Sequence, residues 1–197
     1  MTRLFAALAL AALLAAVPAR GQNIDEDDPD ILTPRTIAEL SLDDLFQKLP
    51  ENAGTPTGGR LEREILRRFN KSGSATADLL LSWAAESMEE KNYTEALDLL
   101  DQIVVLKPDF AEAWNRRATV YFLLDEYGAS LADIRATLAL EPRHFGALAG
   151  FGIILQSLDR KEEAKEVFRR ALMINPQLDK VKESLERLEK ETANQEI

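Results

Sequence analysis

The chain has 197 residues, of which 34 are acidic, 24 are basic and one is a histidine, and it contains no cysteine. Without cysteine it cannot form disulfides or thiolate zinc sites, and a single histidine argues against a histidine-based metal site or a catalytic dyad. The net charge of −10 argues against nucleic acid or an anionic membrane as a partner, since both require basic patches.

Residues 1–19 have the pattern of a cleavable secretory signal peptide. Arg3 precedes an uninterrupted apolar run from Leu4 to Val17, and small residues follow it. As a helix the run would span about 21 Å, short of the roughly 30 Å hydrocarbon core of a bilayer. We therefore expect cleavage after Ala19, or alternatively after Gly21, rather than a retained membrane anchor. The Ala/Leu-rich run resembles bacterial signals and predicts a periplasmic protein.

Residues 20–38 are predicted to form a disordered acidic linker. The stretch 22–30 holds a single aliphatic residue among several acids, so it cannot bury enough apolar surface to fold. A calcium site is the alternative reading, because Asp25, Asp27 and Asp30 could supply oxygen ligands. The central glycine and the closing glutamate of an EF-hand loop are absent, however.

Residues 39–76 are predicted to contain two helices that cap the N-terminal side of the following domain. Ser41 has the features of an N-cap, and apolar residues at helical spacing extend to Pro50, where we expect the first helix to end. The turn formers in 51–59 predict a loop. A second amphipathic helix follows, and four arginines lie outside its apolar stripe. We interpret these as a solvated face rather than a phosphate site: Arg60, Arg63, Arg67 and Arg68.

The central part of the chain repeats every 34 residues, the interval between Pro108, Pro142 and Pro176. The repeat defines three units, 77–110, 111–144 and 145–178. In each unit, four positions at i, i+3, i+4 and i+7 share one face of a first helix. They hold Leu80, Trp83, Ala84 and Ser87, then Trp114, Arg117, Ala118 and Tyr121, then Leu148, Phe151, Gly152 and Leu155. A second helix carries Ala96 and Leu100, Ser130 and Ile134, and Ala164 and Phe168.

This pattern resembles the tetratricopeptide repeat, which reads W-x2-L-G-x2-Y, then A-x3-F, then P, with the same period. The resemblance implies an all-α protein: a right-handed superhelical solenoid of three helix pairs with an N-terminal helical cap and a C-terminal solvating helix. Small residues at Ala84, Ala118 and Gly152 would let the paired helices approach closely. Arg117 departs from the pattern, because an apolar residue is expected there, although its aliphatic stem can pack.

Residues 179–197 are predicted to form the C-terminal solvating helix and a tail. An apolar stripe is flanked by charged residues, as expected of a helix that covers the last repeat. The stripe consists of Leu178, Val181, Leu185 and Leu188. A coiled-coil partner helix is the alternative, but the stripe is shorter than two heptads.

No motif for catalysis, cofactor binding or metal binding is found in the sequence. His144 follows Pro142 in a turn, where we expect a surface residue, and no nucleophile motif accompanies it. The glycine-containing stretches lack the strand and the lysine of phosphate loops. We therefore expect no enzymatic activity and no cofactor.

The resemblance further implies that another protein binds in a concave groove lined by the first helices. The residues expected on this inner face are Leu81, Ala85 and Met88, then Asn115, Thr119 and Phe122, then Ala149, Ile153 and Gln156. Packing within the solenoid is an equally weighted alternative for Met88 and Phe122. Some family members clamp acidic peptide C-termini with lysines and asparagines, but only Asn115 and Arg116 resemble that clamp here. The mostly apolar surface favours an amphipathic helix or an extended apolar segment as ligand.

The sequence thus predicts a periplasmic adaptor that binds another protein and catalyses no reaction. It predicts no nucleic-acid partner and no membrane span once the signal has been removed. Two alternatives stay open. One is a structural envelope protein that associates with itself, and the other is an accessory subunit that presents a substrate to an envelope enzyme.

Overall fold

The computed structural model describes residues 32–193, and all regular secondary structure within them is α-helical. The predicted all-α class is therefore confirmed. The predicted signal peptide and the acidic stretch 22–30 lie outside the described residues. The helices are α1 (Pro34–Glu39), α2 (Leu42–Glu51), α3 (Pro56–Phe69), α4 (Ala75–Glu89), α5 (Tyr93–Leu106), α6 (Ala111–Leu123), α7 (Tyr127–Leu140), α8 (Phe145–Ser157), α9 (Lys161–Ile174) and α10 (Asp179–Ala193). Within 32–193, none of them is long and apolar enough to cross a membrane.

The central helices pack in consecutive pairs, α4 with α5, α6 with α7 and α8 with α9. Each pair is joined by a turn in which one residue adopts the left-handed conformation: Lys91 (φ 61°), Asp125 (φ 59°) and Asp159 (φ 56°). The next backbone N–H donates to the carbonyl oxygen five residues earlier, at 2.8–2.9 Å, as in Schellman-type helix ends. The backbone therefore repeats with the same 34-residue interval as the side chains.

Close contact within each pair depends on small buried residues. Ala84, Ala96 and Ala164 are fully buried, and Gly152 lies directly against the ring of Phe168. In the middle pair, the hydroxyl of Ser130 donates to the carbonyl oxygen of Ala118 at 2.7 Å, which links α7 to α6. The two helices of each pair thus approach closely along these residues.

Arg117 holds three helices together instead of making the apolar contact that its position normally provides. Its guanidinium donates to both carboxylate oxygens of Asp133 on α7, at 2.7 and 2.8 Å, and to Asp101 on α5 at 2.7 Å. It also lies over the ring of Trp114, 4.8 Å from the centroid. The hydrogen bonds that Arg117 donates to Asp133 and Asp101 raise its pKa above the ordinary value of an arginine. An ion pair therefore replaces the expected hydrophobic contact at this junction.

The boundaries of the N-terminal helices differ from the sequence expectation. α1 lies inside the segment 20–38 that was predicted to be disordered, because the Thr33 hydroxyl caps it and Ile37 is buried. α2 starts at the expected Ser41 cap but runs through Pro50 to Glu51, so the proline is next to its last residue. α3 starts at Pro56, inside the predicted loop, because Thr55 accepts the N–H of Gly58 and proline suits a first helical turn.

The N-terminal helices do not cap α4 and α5, which corrects the sequence expectation. They pack across the turns between the units, in an apolar cluster with Phe145, Ile174 and Leu178 and with no residue of α4 or α5. Polar contacts fix the same arrangement. Asn175 donates to Glu62 at 2.8 Å, the N–H of Gly54 donates to Gln177 at 3.3 Å, and Arg143 donates to Asp43 at 2.7 Å.

The C-terminal helix covers the last pair. Val181 and Leu188 on α10 are buried in one cluster with Leu148, Phe168 and Ala171 of α8 and α9. The charged residues on the rest of α10 are exposed, as expected of a solvating helix.

Candidate protein-binding groove

An apolar trough of about 320 Å³ lies between α6 and α8, and α7 forms part of its floor. Its walls come from the first helices of the second and third units, the elements that the sequence assigned to the inner face. We call this feature the α6/α8 groove. It is lined by Asn115, Ala118, Thr119, Phe122, Leu123, Ser130, Ile134, Gly146, Ala147, Ala149, Gly150, Ile153 and Ile154.

Five of the nine predicted groove residues line this trough: Asn115, Thr119, Phe122, Ala149 and Ile153. Ile153 is 41% exposed and Thr119 is also exposed, so both can contact a ligand directly. Phe122 is half-buried, with its ring centroid 5.9 Å from that of Tyr127, and it packs against a buried cluster of Ala118, Ile134 and Ile154. Phe122 therefore combines the two roles considered for it: it lines the groove, and it also packs within the solenoid.

The other four predicted residues lie elsewhere. Leu81 is only 4% exposed and belongs to the core of the first pair, which corrects the expectation that it faces a ligand. Met88 is partly buried against that same core, Ala85 is half-buried, and Gln156 is half-buried outside the trough. The difference arises because α4 turns the Leu81 side chain toward α5 rather than toward the groove.

The glycines of α8 form part of the groove that the sequence analysis missed. Gly146 and Gly150 lie one turn apart on the trough side of α8. A Cβ on Gly150 would lie 3.9 Å from Cδ1 of Ile134, so any larger side chain would narrow the trough. The sequence could have indicated these two glycines as groove residues, because they lie beside the predicted groove residue Ala149 on α8.

The polar groups at the rim of the trough lie near its N-terminal end. The Asn115 amide donates to a carboxylate oxygen of Glu112 at 3.2 Å, and the Thr119 hydroxyl donates to the Asn115 carbonyl at 3.0 Å. Arg116, the cation next to them, donates to Glu112 at 2.9 Å and to Asn70 at 2.7 Å. The trough lining itself contains no charged side chain among the described residues.

His144 connects the start of α8 to α6 and to the N-terminal helices. His144 was expected on the surface, but it is 2% exposed: its Nδ1 accepts the N–H of Ala147 at 3.1 Å and so caps α8. Its Nε2 therefore donates to Glu112, at 3.1 Å, and its ring stacks on Phe69 of α3 with the centroids 4.5 Å apart. Burial alone would raise the pKa of Glu112, but the hydrogen bonds from His144 and Arg116 and the positive charge of Arg116 outweigh it, so the pKa of Glu112 is lowered.

The trough offers an apolar lining with an amide at one rim. No group of three or more histidine, aspartate or glutamate residues that could hold a metal ion occurs in the described part of the chain. His144 uses both ring nitrogens in structural contacts, and no serine among residues 32–193 pairs with it. An apolar trough with an amide at one rim suits the side chains of another polypeptide.

Known proteins share the repeats described above. A family model described as the tetratricopeptide repeat matches residues 146–178, within the third unit. A tetratricopeptide repeat-containing protein of Rhizobium etli is 43% identical over 135 residues, and the match covers 68% of this chain and 66% of that protein. The chain therefore spans just under two thirds of the length of this relative.

Solved structures show the same fold. The first tetratricopeptide domain of Spaghetti (RPAP3), bound to an HSP90 peptide SRMEEVD, matches with a TM-score of 0.59 at 23% identity, covering 61% of this chain and 98% of that one. The Sgt2 tetratricopeptide domain of Aspergillus fumigatus matches with a TM-score of 0.58 at 21% identity, covering 62% and 83%. The matched repeat, the relative and the shared fold agree in showing tetratricopeptide repeats in this chain.

Proposed function

We propose that the protein is a non-catalytic adaptor that binds another protein in the α6/α8 groove. The observation that carries this proposal is the apolar trough of about 320 Å³, which brings five of the predicted groove residues together. Its volume lies at the lower end of the roughly 300–1,000 Å³ range of ligand-binding clefts. It therefore suits one or two large apolar side chains rather than a whole folded surface.

The ligand that fits this lining is the apolar face of an amphipathic helix or an extended apolar segment. The RPAP3 domain binds an acidic peptide, SRMEEVD, whereas no cation lines the trough here, and Arg116 is already bonded to Glu112 and Asn70. An acidic C-terminus would find no free positive charge in this trough. Apolar side chains of a ligand fit the apolar lining of the trough better than an acidic C-terminus does, and the Asn115 amide would orient that ligand.

The proposed compartment is the periplasm. This proposal is supported by the sequence of residues 1–19, where Arg3 precedes an apolar run and small residues follow. A chain without cysteine is also compatible with an oxidising compartment. The partner would then be another envelope protein.

The groove is tested by the variant Ile153→Glu. A carboxylate placed in the trough would be desolvated by an apolar ligand without gaining a partner, so we expect capture of the partner from native envelope extract to fall at least about tenfold. Ile153 is 41% exposed, so helicity and melting temperature should stay unchanged. Phe122 is a less suitable probe because it also packs against Tyr127.

The matched control is Met173→Glu. Met173 is 76% exposed on α9 and does not line the trough, so this variant adds the same charge elsewhere. The proposal predicts that it captures the partner as the wild type does. Equal capture by wild type, Ile153→Glu and Met173→Glu would refute the groove as the binding surface.

A further inference from the structure

One end of the α6/α8 groove presents a polar group without a net charge. The Asn115 amide at this end donates to the carboxylate of Glu112 at 3.2 Å. Arg116 donates to the same carboxylate at 2.9 Å, so one cation compensates one anion. His144, whose Nδ1 accepts a backbone N–H, adds a hydrogen bond to Glu112 but no charge. A ligand therefore meets a neutral amide at this end.

The opposite end of the groove lies at the turn after α6. Phe122 and Leu123 line the trough there, and the N–H of Asp125 donates to the carbonyl oxygen of Phe122 at 3.1 Å. The Tyr127 ring packs against Phe122, and its hydroxyl donates to the Asp125 carboxylate at 2.9 Å. The Ser157 side chain at the end of α8 also interacts with that hydroxyl. The Asp125 carboxylate is therefore fixed beside this end of the trough.

The negative charge of Asp125 is not compensated by a neighbouring cation. Asp125 and Glu126 are both exposed, and neither forms an ion pair in the described part of the chain. The equivalent turn residues of the other units are Lys91, which is itself a cation, and Asp159, which pairs with Lys161 at 3.7 Å. The last carbonyl groups of α6 add partial negative charge. This end of the groove is therefore acidic.

We propose that the ligand of the α6/α8 groove is a basic amphipathic segment of another protein, whose apolar side chains enter the trough while a lysine or arginine pairs with Asp125. This inference rests on the proposed function and adds to it the charge and the orientation of the partner. The net charge of −10 attracts a basic segment from a distance, and Asp125 then pairs with one of its cations locally. The aliphatic stem of that cation can cover Leu123, which is 47% exposed.

The test measures the binding of three synthetic amphipathic peptides to the protein by fluorescence anisotropy. Each has about 14 residues, or roughly four helical turns. They share one face of leucines and differ on the other face, which holds lysines, glutamines or glutamates. At low ionic strength we expect the lysine peptide to bind at least about tenfold more tightly than the glutamine peptide, and the glutamate peptide to bind most weakly. Added salt should reduce these differences.

The variant Asp125→Asn removes the charge at the acidic end and keeps the turn. Asparagine adopts the left-handed conformation that Asp125 has (φ 59°), and its amide oxygen can still accept from Tyr127. We expect this variant to bind the lysine peptide about threefold more weakly and the glutamine peptide as the wild type does. The matched control is Asp98→Asn, an equal change in net charge at an exposed position of α5 outside the trough. It should weaken the lysine peptide at most about 1.5-fold.

The same peptides separate this inference from the proposed function. Ile153→Glu should weaken binding of the uncharged glutamine peptide, whatever Asp125 does. If it does so, but Asp125→Asn weakens the lysine peptide no more than Asp98→Asn does, the groove stands and the inference is overturned. A lysine peptide that binds no more tightly than the glutamine peptide also overturns it. Binding that Ile153→Glu leaves unchanged, or no binding of any peptide, would overturn the groove and this inference with it.

Discussion

Gly152 is the residue at which α8 and α9 approach most closely. A Cβ at this position would overlap the ring of Phe168, which is fully buried and cannot move aside. We expect Gly152→Ala to destabilise the protein by about 1–2 kcal/mol, because overpacking costs about 1–3 kcal/mol and the gain in helix propensity offsets up to about 1 kcal/mol. Chemical denaturation measures this difference.

Gly128→Ala is the control for that substitution. Gly128 also lies in a helix, but a Cβ there would meet nothing within 4 Å. The same change should therefore be neutral or stabilise by up to about 1 kcal/mol. If Gly152→Ala proved as stable as the wild type, the close contact with Phe168 would not constrain this position.

His144 illustrates what sequence reasoning could not predict about single residues. Its place after Pro142 correctly predicts a turn, and turns usually lie at the surface. Its burial depends on Phe69, which stacks on it from α3, and on Glu112 of α6. These contacts join distant parts of the chain, so no local pattern around His144 contains them.

At the scale of elements, the turn inside each helix pair contains a residue in a conformation that glycine would adopt more easily. Lys91 has φ 61° and is exposed, with no hydrogen bond or ion pair to its side chain among the described contacts. Left-handed backbone costs a non-glycine residue roughly 1–2 kcal/mol. We expect Lys91→Gly to stabilise the protein by about 0.5–1 kcal/mol, since the flexible unfolded chain offsets part of the gain.

The control for the turn is Lys91→Ala, which removes the charge and the stem but keeps the Cβ. It should leave the free energy of unfolding nearly unchanged. A gain in Lys91→Ala equal to that in Lys91→Gly would assign the effect to the lysine side chain rather than to the backbone. Thermal and urea unfolding of the three proteins decide between these results.

The helices of the repeats were easier to predict than those before them. The period of 34 residues places the first and second helices, because apolar spacing and turn prolines agree in each unit. Before the repeats, Pro56, Gly58 and Gly59 suggested a loop, yet they form the first turn of α3. Gly58 is required there because a Cβ would collide with the Asn52 carbonyl, a packing demand that the sequence does not display.

At the scale of the whole described structure, the position of α1–α3 decides which surfaces stay open. These helices pack against Phe145 and Ile174 at the turns between units, while Trp83 of α4 stays 47% exposed. Helix periodicity predicted five groove residues of units two and three, but it also predicted Gln156, which lies outside the trough, and it missed Gly146 and Gly150. The position of α3 could not be predicted, because contacts such as the hydrogen bond from Asn175 to Glu62 link residues far apart in the chain.

Binding of a partner in the α6/α8 groove can be tested by site-specific photo-cross-linking. A benzophenone amino acid would replace Thr119, which is exposed in the trough, or Arg135, which is exposed on α7 outside it. Both probes would be activated in intact cells, so that the native partner is present at its own concentration. The cross-linked products would be identified by mass spectrometry.

We expect the probe at position 119 to cross-link to a distinct envelope protein and the probe at position 135 not to do so. Cross-linked partner peptides should contain apolar residues at the site of attachment, because the trough is apolar. Equal cross-linking from both positions, or cross-linking from position 135 alone, would contradict binding in the groove.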